Sequence, residues 1–543
     1  MTKNDFNTKV ENVIDEMKYV YKNDSRPWVI GFSGGKDSTV VVQLVYQMLL
    51  SLSPEERTKD VYVVSSDTLI ENPIVLDNLN ATSKLIGEAA KNMNIPLYTH
   101  IVRPEPTNSY WYNIIGKGLP TPTSIRFRWC TERLKIQPSN KFIEEKVAQN
   151  GEVVVLLGVR KSESIARGIR IKNREIEGYL LTPHVTLTNT YVYNPIVDFT
   201  TDDVWNLLMK TNNGINPWNG NNKELFDLYA GSQTECPFTM TKDESGNIDT
   251  PSCGNSRFGC WICTVVKEDK SLTGFKDNGE EWLQPLLDFR EWILSIRDKH
   301  EYRLTRRRDG NHYYKKIYID KYPIDSNGII DQSFIRKNEY GDEYILHIKS
   351  YEKDPKKIDE KEKIFISLLN LGEGVYTIPS DKILNDNDGK GNYINILGYG
   401  PFNFFARKKI LEKLLLTQIE LNELGDCDDQ LITLEELKAI DDLWDKEEDL
   451  SRTSLVDIYY KVMNKKLPWH DFKKPLFDNK AINIIIETCK ENNISTELLT
   501  KLLVETENNK LYSNKSLLSK QVSKTLNQKY LHKDIYEELE HDN

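Results

Sequence analysis

Apolar residues in the first half of the chain come in short runs, separated by stretches whose hydrophobic positions recur at helical spacing. Trp28-Val-Ile-Gly-Phe32 predicts a strand that runs straight into a glycine-rich loop, and residues 38–50 predict the helix behind it. Val61-Tyr-Val-Val64 predicts a second strand, ending at Ser65, Ser66 and Asp67. Asn72 followed by Pro73 predicts a helix start, an Asn cap with proline at the first helical position. Residues 98–102 and 153–157 predict further strands, and residues 116–128, with Pro120 and Pro122, an ordered loop over the sheet. Thr200-Thr-Asp-Asp203 leads into a helix carrying Val204, Trp205 and Leu208. Strands alternating with helices predict an α/β fold with a parallel sheet.

The pattern changes beyond residue 280. A basic and aromatic stretch is followed by a turn-rich part at 385–389. Helical periodicity then spans 404–424, with Phe405, Ile410, Leu414 and Ile419 as core candidates. Thr433 with Glu436 predicts a capping box. The expected organisation is a parallel-sheet domain over 1–275, an α+β extension over 276–425 and a small, mostly helical domain over 426–543.

The loop Gly31-Phe-Ser-Gly-Gly-Lys-Asp-Ser38 lies between strand and helix, which gives it a physical meaning. Gly34 and Gly35 permit a tight turn that exposes N–H groups, and the helix N-terminus adds partial positive charge. Ser33, Lys36 and Ser38 complete a phosphate cradle. The common P-loop has glycine where Ile30 stands, and Ser or Thr where Asp37 stands. A carboxylate beside phosphate is repulsive unless a cation such as Mg²⁺ separates them. Asp67, at a strand end, is placed to meet a ligand, though a turn cap explains it equally well. Arg160, Arg167 and Arg170 are candidate phosphate clamps, with a solvated basic face as the competing reading.

The net charge of −10 excludes a protein that coats nucleic acid by bulk charge, so any polyanion contact needs a local patch. Arg303-Leu-Thr-Arg-Arg-Arg308 with His312, Tyr313, Tyr314, Lys315 and Lys316 is such a candidate. It nominates Arg306, Arg307, Arg308, Lys315 and Lys316 for DNA contact, against a solvated hairpin as the plainer reading. The N-terminal residues are polar, and the longest apolar run, 39–52, carries Gln43 and Gln47. The expectation is a soluble, cytoplasmic chain that does not enter a membrane. Of seven cysteines, Cys130, Cys236, Cys253, Cys260 and Cys263 fall in the first half. In a reducing compartment, the spacing Cys253-x₆-Cys260-x₂-Cys263 points to metal or redox chemistry, with zinc and iron–sulfur evenly matched on spacing alone.

The Ser33–Ser38 loop, Phe127-Arg-Trp-Cys-Thr-Glu-Arg-Leu-Lys135 and Gly158-Val-Arg-Lys-Ser-Glu-Ser164 resemble the phosphoadenosine-phosphosulfate reductase branch of the ATP pyrophosphatases. Ser65-Ser-Asp-Thr-Leu-Ile-Glu-Asn-Pro73 and Pro251-Ser-Cys-Gly-Asn-Ser-Arg-Phe-Gly-Cys-Trp-Ile-Cys263 narrow the resemblance to the sulfurtransferases of bacterial DNA phosphorothioation. Gly400-Pro-Phe-Asn-Phe-Phe-Ala-Arg-Lys408 supports it in the second half. The resemblance implies an adenine-nucleotide alpha hydrolase fold, ATP with Mg²⁺, and a [4Fe–4S] cluster. It also implies a cysteine desulfurase as sulfur donor, companion Dnd proteins, and DNA as partner.

By this resemblance Ser33, Gly34, Gly35, Lys36, Asp37 and Ser38 hold ATP, with Asp67, Arg160 and Arg167 facing the same site and Lys36 and Asp37 catalytic. Cys130, Cys253, Cys260 and Cys263 take the cluster, leaving Cys236 to carry a persulfide; the rival assignment exchanges Cys236 and Cys130. Trp129 precedes Cys130 where the reductases have an adjacent cysteine pair. The activity implied is adenylation of a DNA phosphate oxygen with release of pyrophosphate, and its replacement by sulfur. Alternatives are tRNA thiolation, a non-catalytic ATP- and cluster-binding scaffold, and a sulfonucleotide reductase. A reductase is disfavoured because it uses a thiol near the C-terminus and the last cysteine here is Cys489.

Overall fold

The computed structural model describes residues 3–124, 127–176, 178–231, 258–266, 268–337, 343–346, 363–365, 376–386, 391–492, 494–510 and 515–528. The chain divides into two compact units. The first comprises Met1–Asn113, Pro122–Glu291 and Lys413–Leu437; the second comprises Ile114–Thr121, Trp292–Glu412 and Lys438–Asn543.

The first unit is built on a six-stranded sheet in the order β3-β2-β1-β4-β6-β5. Its strands are β1 (Trp28–Gly31), β2 (Val61–Ser66), β3 (Leu97–Val102), β4 (Val153–Leu156), β5 (Thr182–Pro183) and β6 (Thr190–Tyr193). All pairings are parallel except the short β5 against β6. The central strands are continuous apolar runs rather than alternating ones, because both of their faces are covered. Trp28 pairs with Val61 on one side and with Val154 on the other, which puts β1 at the centre.

The chain moves from β1 outward through β2 to β3, then returns to lay β4 on the opposite side of β1. Strand order therefore reverses between β1 and β4, and in such sheets ligands bind outside the carboxyl ends of the strands at that reversal. Helix α1 (Lys3–Lys22) brings Tyr21 edge-on to Trp28 at 5.3 Å. Helix α2 (Lys36–Ser51) is buried nearly all round, through Val40, Val41, Leu44, Val45 and Met48. Helix α3 (Pro73–Asn92) starts as its sequence predicts, with the Asn72 side chain accepting from Ile74 N at 3.0 Å.

The second unit contains two three-stranded antiparallel sheets and a set of helices. The basic-aromatic stretch supplies the strand Tyr314–Tyr318, which pairs with Gly391–Leu397. Ile317 turns inward with Ile394 and Ile396; Lys316 lies on the opposite face, and Lys315 is exposed near the start of the strand although it shares the face of Ile317. The helix Phe404–Gly425 extends over the predicted residues, with Ile410 and Leu414 buried and Ile419 half-buried. Phe405 corrects the expectation: its side chain is 54 % exposed rather than in the core. In the segment Lys413–Leu437, which belongs to the first unit, the capping box forms, Thr433 N donating to Glu436 at 3.0 Å and Glu436 N to Thr433 Oγ1 at 3.2 Å. Among the described residues no helix is long and apolar enough to cross a membrane.

Candidate active site

The glycine loop leaves β1 and enters α2 at the strand-order reversal. Gly34 sits at φ +71, a conformation that side chains oppose, and an added Cβ there would also press on Leu79 at 3.1 Å. Gly35 is the N-cap and provides no side-chain cap, so the first amides of α2 are left to partners from elsewhere. The loop holds itself in shape: Ser33 N donates to Ser38 Oγ at 3.2 Å, and Ser38 Oγ donates to Gly35 O at 2.9 Å. Tyr229 braces it from the helix Asn222–Gly231. Its hydroxyl accepts from Lys36 N at 3.3 Å, and the Lys36 ammonium lies 4.9 Å from its ring centre.

Asp37 and Arg160 meet. Arg160, 1 % exposed at the end of β4, donates from Nε to Asp37 Oδ1 at 2.6 Å. Its Nη1 donates to Ser162 Oγ at 2.9 Å and to Thr201 Oγ1 at 3.3 Å. The cation that the carboxylate calls for beside a phosphate is thus present in the protein itself. Gly158 explains how the two segments come so close, since a Cβ there would lie 2.9 Å from the Asp37 backbone and 3.1 Å from Ser38 N. Arg167 pairs with Glu163 one helical turn away, and the side chain of Arg170 lies outside the described residues.

Asp67 is both turn cap and ion-pair partner. Its carboxylate accepts from Leu69 N at 2.9 Å and from Arg103 Nε at 2.8 Å. Four residues on, Glu71 belongs to the cysteine region. Glu71 and Cys260 form an isolated antiparallel bridge, and Trp261 N donates to Ile70 O at 3.2 Å. Thr68 Oγ1 donates to Glu71 at 2.9 Å and lies 3.9 Å from Cys260 Sγ. Lys135, the last residue of the Phe127–Lys135 motif, pairs with Glu71 at 2.9 Å. Burial works against the Lys135 charge, but Glu71, Cys260 and Cys130 together hold its pKa above the usual lysine range.

Cys260 and Cys263 occupy one turn, closed by Cys263 N donating to Cys260 O at 3.0 Å. Arg290, 1 % exposed, fixes that turn by donating to Cys263 O at 3.0 Å and to Val266 O at 2.6 Å. Cys130 lies within electrostatic reach of Cys263. Burial first, and then that neighbour, pushes the Cys130 thiol up; burial and Glu71 push Cys260 up. Cys236 and Cys253 lie outside the described residues. Among the described residues no three His, Cys, Asp or Glu side chains converge to hold a metal on their own.

Sequence reasoning gave no role to Glu71, Lys135, Tyr229 or Arg290. The first two stand inside the motifs that carry the resemblance, where their acid and base character was the available signal. Tyr229 and Arg290 are distant in sequence and carry no local mark.

In the second unit, Arg306 is 5 % exposed and ion-paired with Glu497. Arg308 pairs with Glu447 at 2.9 Å. Arg307, whose guanidinium lies 4.3 Å from the Tyr313 ring centre, is exposed, as are Lys315 and Lys316.

A parallel sheet with a glycine phosphate cradle at its strand-order reversal defines a nucleotide-binding α/β domain. Residues 27–266 match the family model of the phosphoadenosine phosphosulfate reductase domain, and a domain of that family occupies this part of the chain. An uncharacterized protein of Methanocaldococcus jannaschii is 31% identical over 159 residues, 29% of this chain; the chain spans only 28% of that relative's length. Among solved structures, phosphoadenylyl-sulfate reductase from Candida auris is 14% identical, covering 42% of this chain and 92% of that one, with a TM-score of 0.26. The U34-tRNA thiolase from Methanococcus maripaludis, solved with its [4Fe–4S] cluster, is 14% identical over 42% and 74% of the two chains, TM-score 0.27. The NH3-dependent NAD synthetase from Campylobacter jejuni is 18% identical over 38% and 73%, TM-score 0.24.

Proposed function

We propose that this chain is an ATP-dependent sulfurtransferase of the DndC type, which activates a DNA backbone phosphate so that a non-bridging oxygen can be replaced by sulfur. The observation that carries the reading is one loop with two attachments. Asp67 ends a strand beside the nucleotide cradle, and Glu71, four residues later, touches both Cys260 and Lys135.

Oxide is a very poor leaving group on phosphorus, and AMP is a good one. The DNA oxygen attacks the α-phosphorus of ATP, the bond to the β-phosphate oxygen breaks, and pyrophosphate departs. The outer sulfur of a persulfide then attacks the DNA phosphorus and AMP leaves; an external thiol attacks the inner, cysteine sulfur, breaking the S–S bond to release the phosphorothioate and leaving a disulfide that a second thiol reduces. The amides ahead of α2 and the Lys36 ammonium hold the phosphates as charge develops. Arg160 is a positioning residue that keeps Asp37 in place. Asp37 would also help to hold Mg²⁺, which would supply further neutralisation of phosphate charge when bound. A [4Fe–4S] cluster on Cys130, Cys253, Cys260 and Cys263 would supply iron-bound sulfur chemistry, with Cys236 carrying the persulfide received from a cysteine desulfurase.

The test mixes the purified chain with ATP and DNA and measures pyrophosphate, then offers DNA and tRNA side by side with a desulfurase and labelled cysteine. Pyrophosphate release and labelled DNA are expected. Label in tRNA alone would make the chain a tRNA thiolase, and no pyrophosphate would make it a scaffold; either result ends the DNA reading.

A further inference from the structure

Tyr229 touches both the glycine loop and the cysteine region of the first unit. Its side chain is buried, and the Trp205 ring meets it edge-on at 5.4 Å and 88°. The hydroxyl accepts from Lys36 N at 3.3 Å. The loop makes room for that contact, since a Cβ on Gly35 would lie 3.1 Å from the phenol oxygen. On another side the ring packs against Phe258 at 4.7 Å and 63°. Phe258 stacks in turn on Phe275 at 6.4 Å and 19°, and it stands two residues before Cys260.

Lys36 N is the first amide of α2, one of the donors that a phosphate at this helix end would take. It carries a single proton. Its bond to the phenol, at 3.3 Å, is longer than the ordinary value of about 2.9–3.0 Å. A hydrogen bond to an ionised acceptor is roughly twice as strong as a neutral one, so a phosphate oxygen wins the amide from the phenol. The Lys36 ammonium, 4.9 Å from the ring centre, is drawn to the same phosphate, which loosens the ring's second hold on the loop. Close-packed side chains transmit such a shift, and Phe258 is the neighbour that leads to the cysteine turn.

We propose that Tyr229 holds the place of a phosphate oxygen on the Lys36 amide, and is a positioning residue that relays nucleotide binding through Phe258 to the turn of Cys260 and Cys263. The inference rests on the nucleotide reading of the glycine loop and needs neither a cluster nor a DNA substrate.

The test uses the full chain with ATP and two readouts that do not depend on turnover. These are calorimetric titration, and amide hydrogen exchange of the peptide 258–264 followed by mass spectrometry. ATP is expected to change that peptide's exchange in the wild type. Tyr229→Phe removes the resident acceptor, so ATP should bind about fivefold more tightly while the exchange response disappears. Phe258→Leu leaves the phenol in place, and should bind ATP as the wild type does yet lose the response. A tyrosine that only packs would leave the response intact. The proposal is overturned by wild-type exchange that ATP does not alter, by a folded Tyr229→Phe chain that gains no affinity, or by a response retained in either variant. If Tyr229→Phe does not fold, the response of Phe258→Leu decides. A wild type that binds no ATP overturns the nucleotide reading itself, and this relay with it.

Discussion

At Asp37, the sequence calls for a cation beside the carboxylate, and the structure finds one 123 positions away. Arg160→Met would leave Asp37 with only the more distant Lys36, at 4.0 Å, and is expected to destabilise the chain by about 2–4 kcal/mol, discounted from the range of about 3–5 for a fully buried pair because Asp37 keeps some solvent. Urea unfolding measures this, and Asp37→Asn should cost less since an acceptor remains. Lys36→Ala should lower pyrophosphate release at least about a hundredfold while leaving the melting curve in place.

Lys59 offers a test away from the site. It is 7 % exposed, donates to Asp24 O at 2.6 Å, and burial pushes its pKa down to about 8 from 10.5. Between those two values the unfolded chain holds a proton that the folded chain has released, so stability rises with pH across that window. Below pH 8 the cost of burying the charge is fully present. Relative to Lys59→Met, the wild type should gain up to about 3 kcal/mol between pH 8 and 10.5, as read by urea unfolding at a series of pH values. A constant difference would show that the lysine stays charged when folded. Arg160 was nominated as a phosphate clamp, and its pairing with Asp37 was not legible, because a contact across 123 positions depends on which strands become neighbours.

Elements were more legible than contacts. The first four strands, the Asn72 cap and the Thr433 capping box follow from local pattern, since continuous apolar runs and cap residues act within a few positions of themselves. Gly158 shows the limit. As a lone glycine after a strand it suggests a turn, yet its importance comes from the backbone of Asp37 packed against it. Gly158→Ala should force the end of β4 away from the loop, costing about 1–3 kcal/mol and weakening ATP binding about tenfold. Calorimetric titration with ATP checks the second figure; unaltered affinity would mean that the loop does not depend on this approach. Phe405 failed in the opposite direction. It stands five residues before Ile410 and nine before Leu414, roughly 140° and 180° away around the helix, so it falls off the buried stripe those two share.

At the scale of the molecule, the expected domain limits at 275 and 425 contrast with units that interleave along the chain, since Ile114–Thr121 and Lys413–Leu437 each belong to a unit that their sequence neighbours do not suggest. The basic-aromatic stretch is likewise composition read without partners. Exchanging exposed Arg307, Lys315 and Lys316 for glutamine should reduce the slope of log affinity for DNA against log salt, by about 0.9 for each phosphate no longer neutralised. An unchanged slope would remove that face from the interface. The loop from Asp67 to Glu71 has a practical consequence for any genetic dissection of the proposed function. A lesion there cannot be assigned to sulfur handling from a sulfur phenotype alone, because the same few peptide bonds also anchor the wall beside the phosphates. Epistasis between cysteine and lysine alleles would pass through that segment, and each allele needs both chemistries scored in one sample.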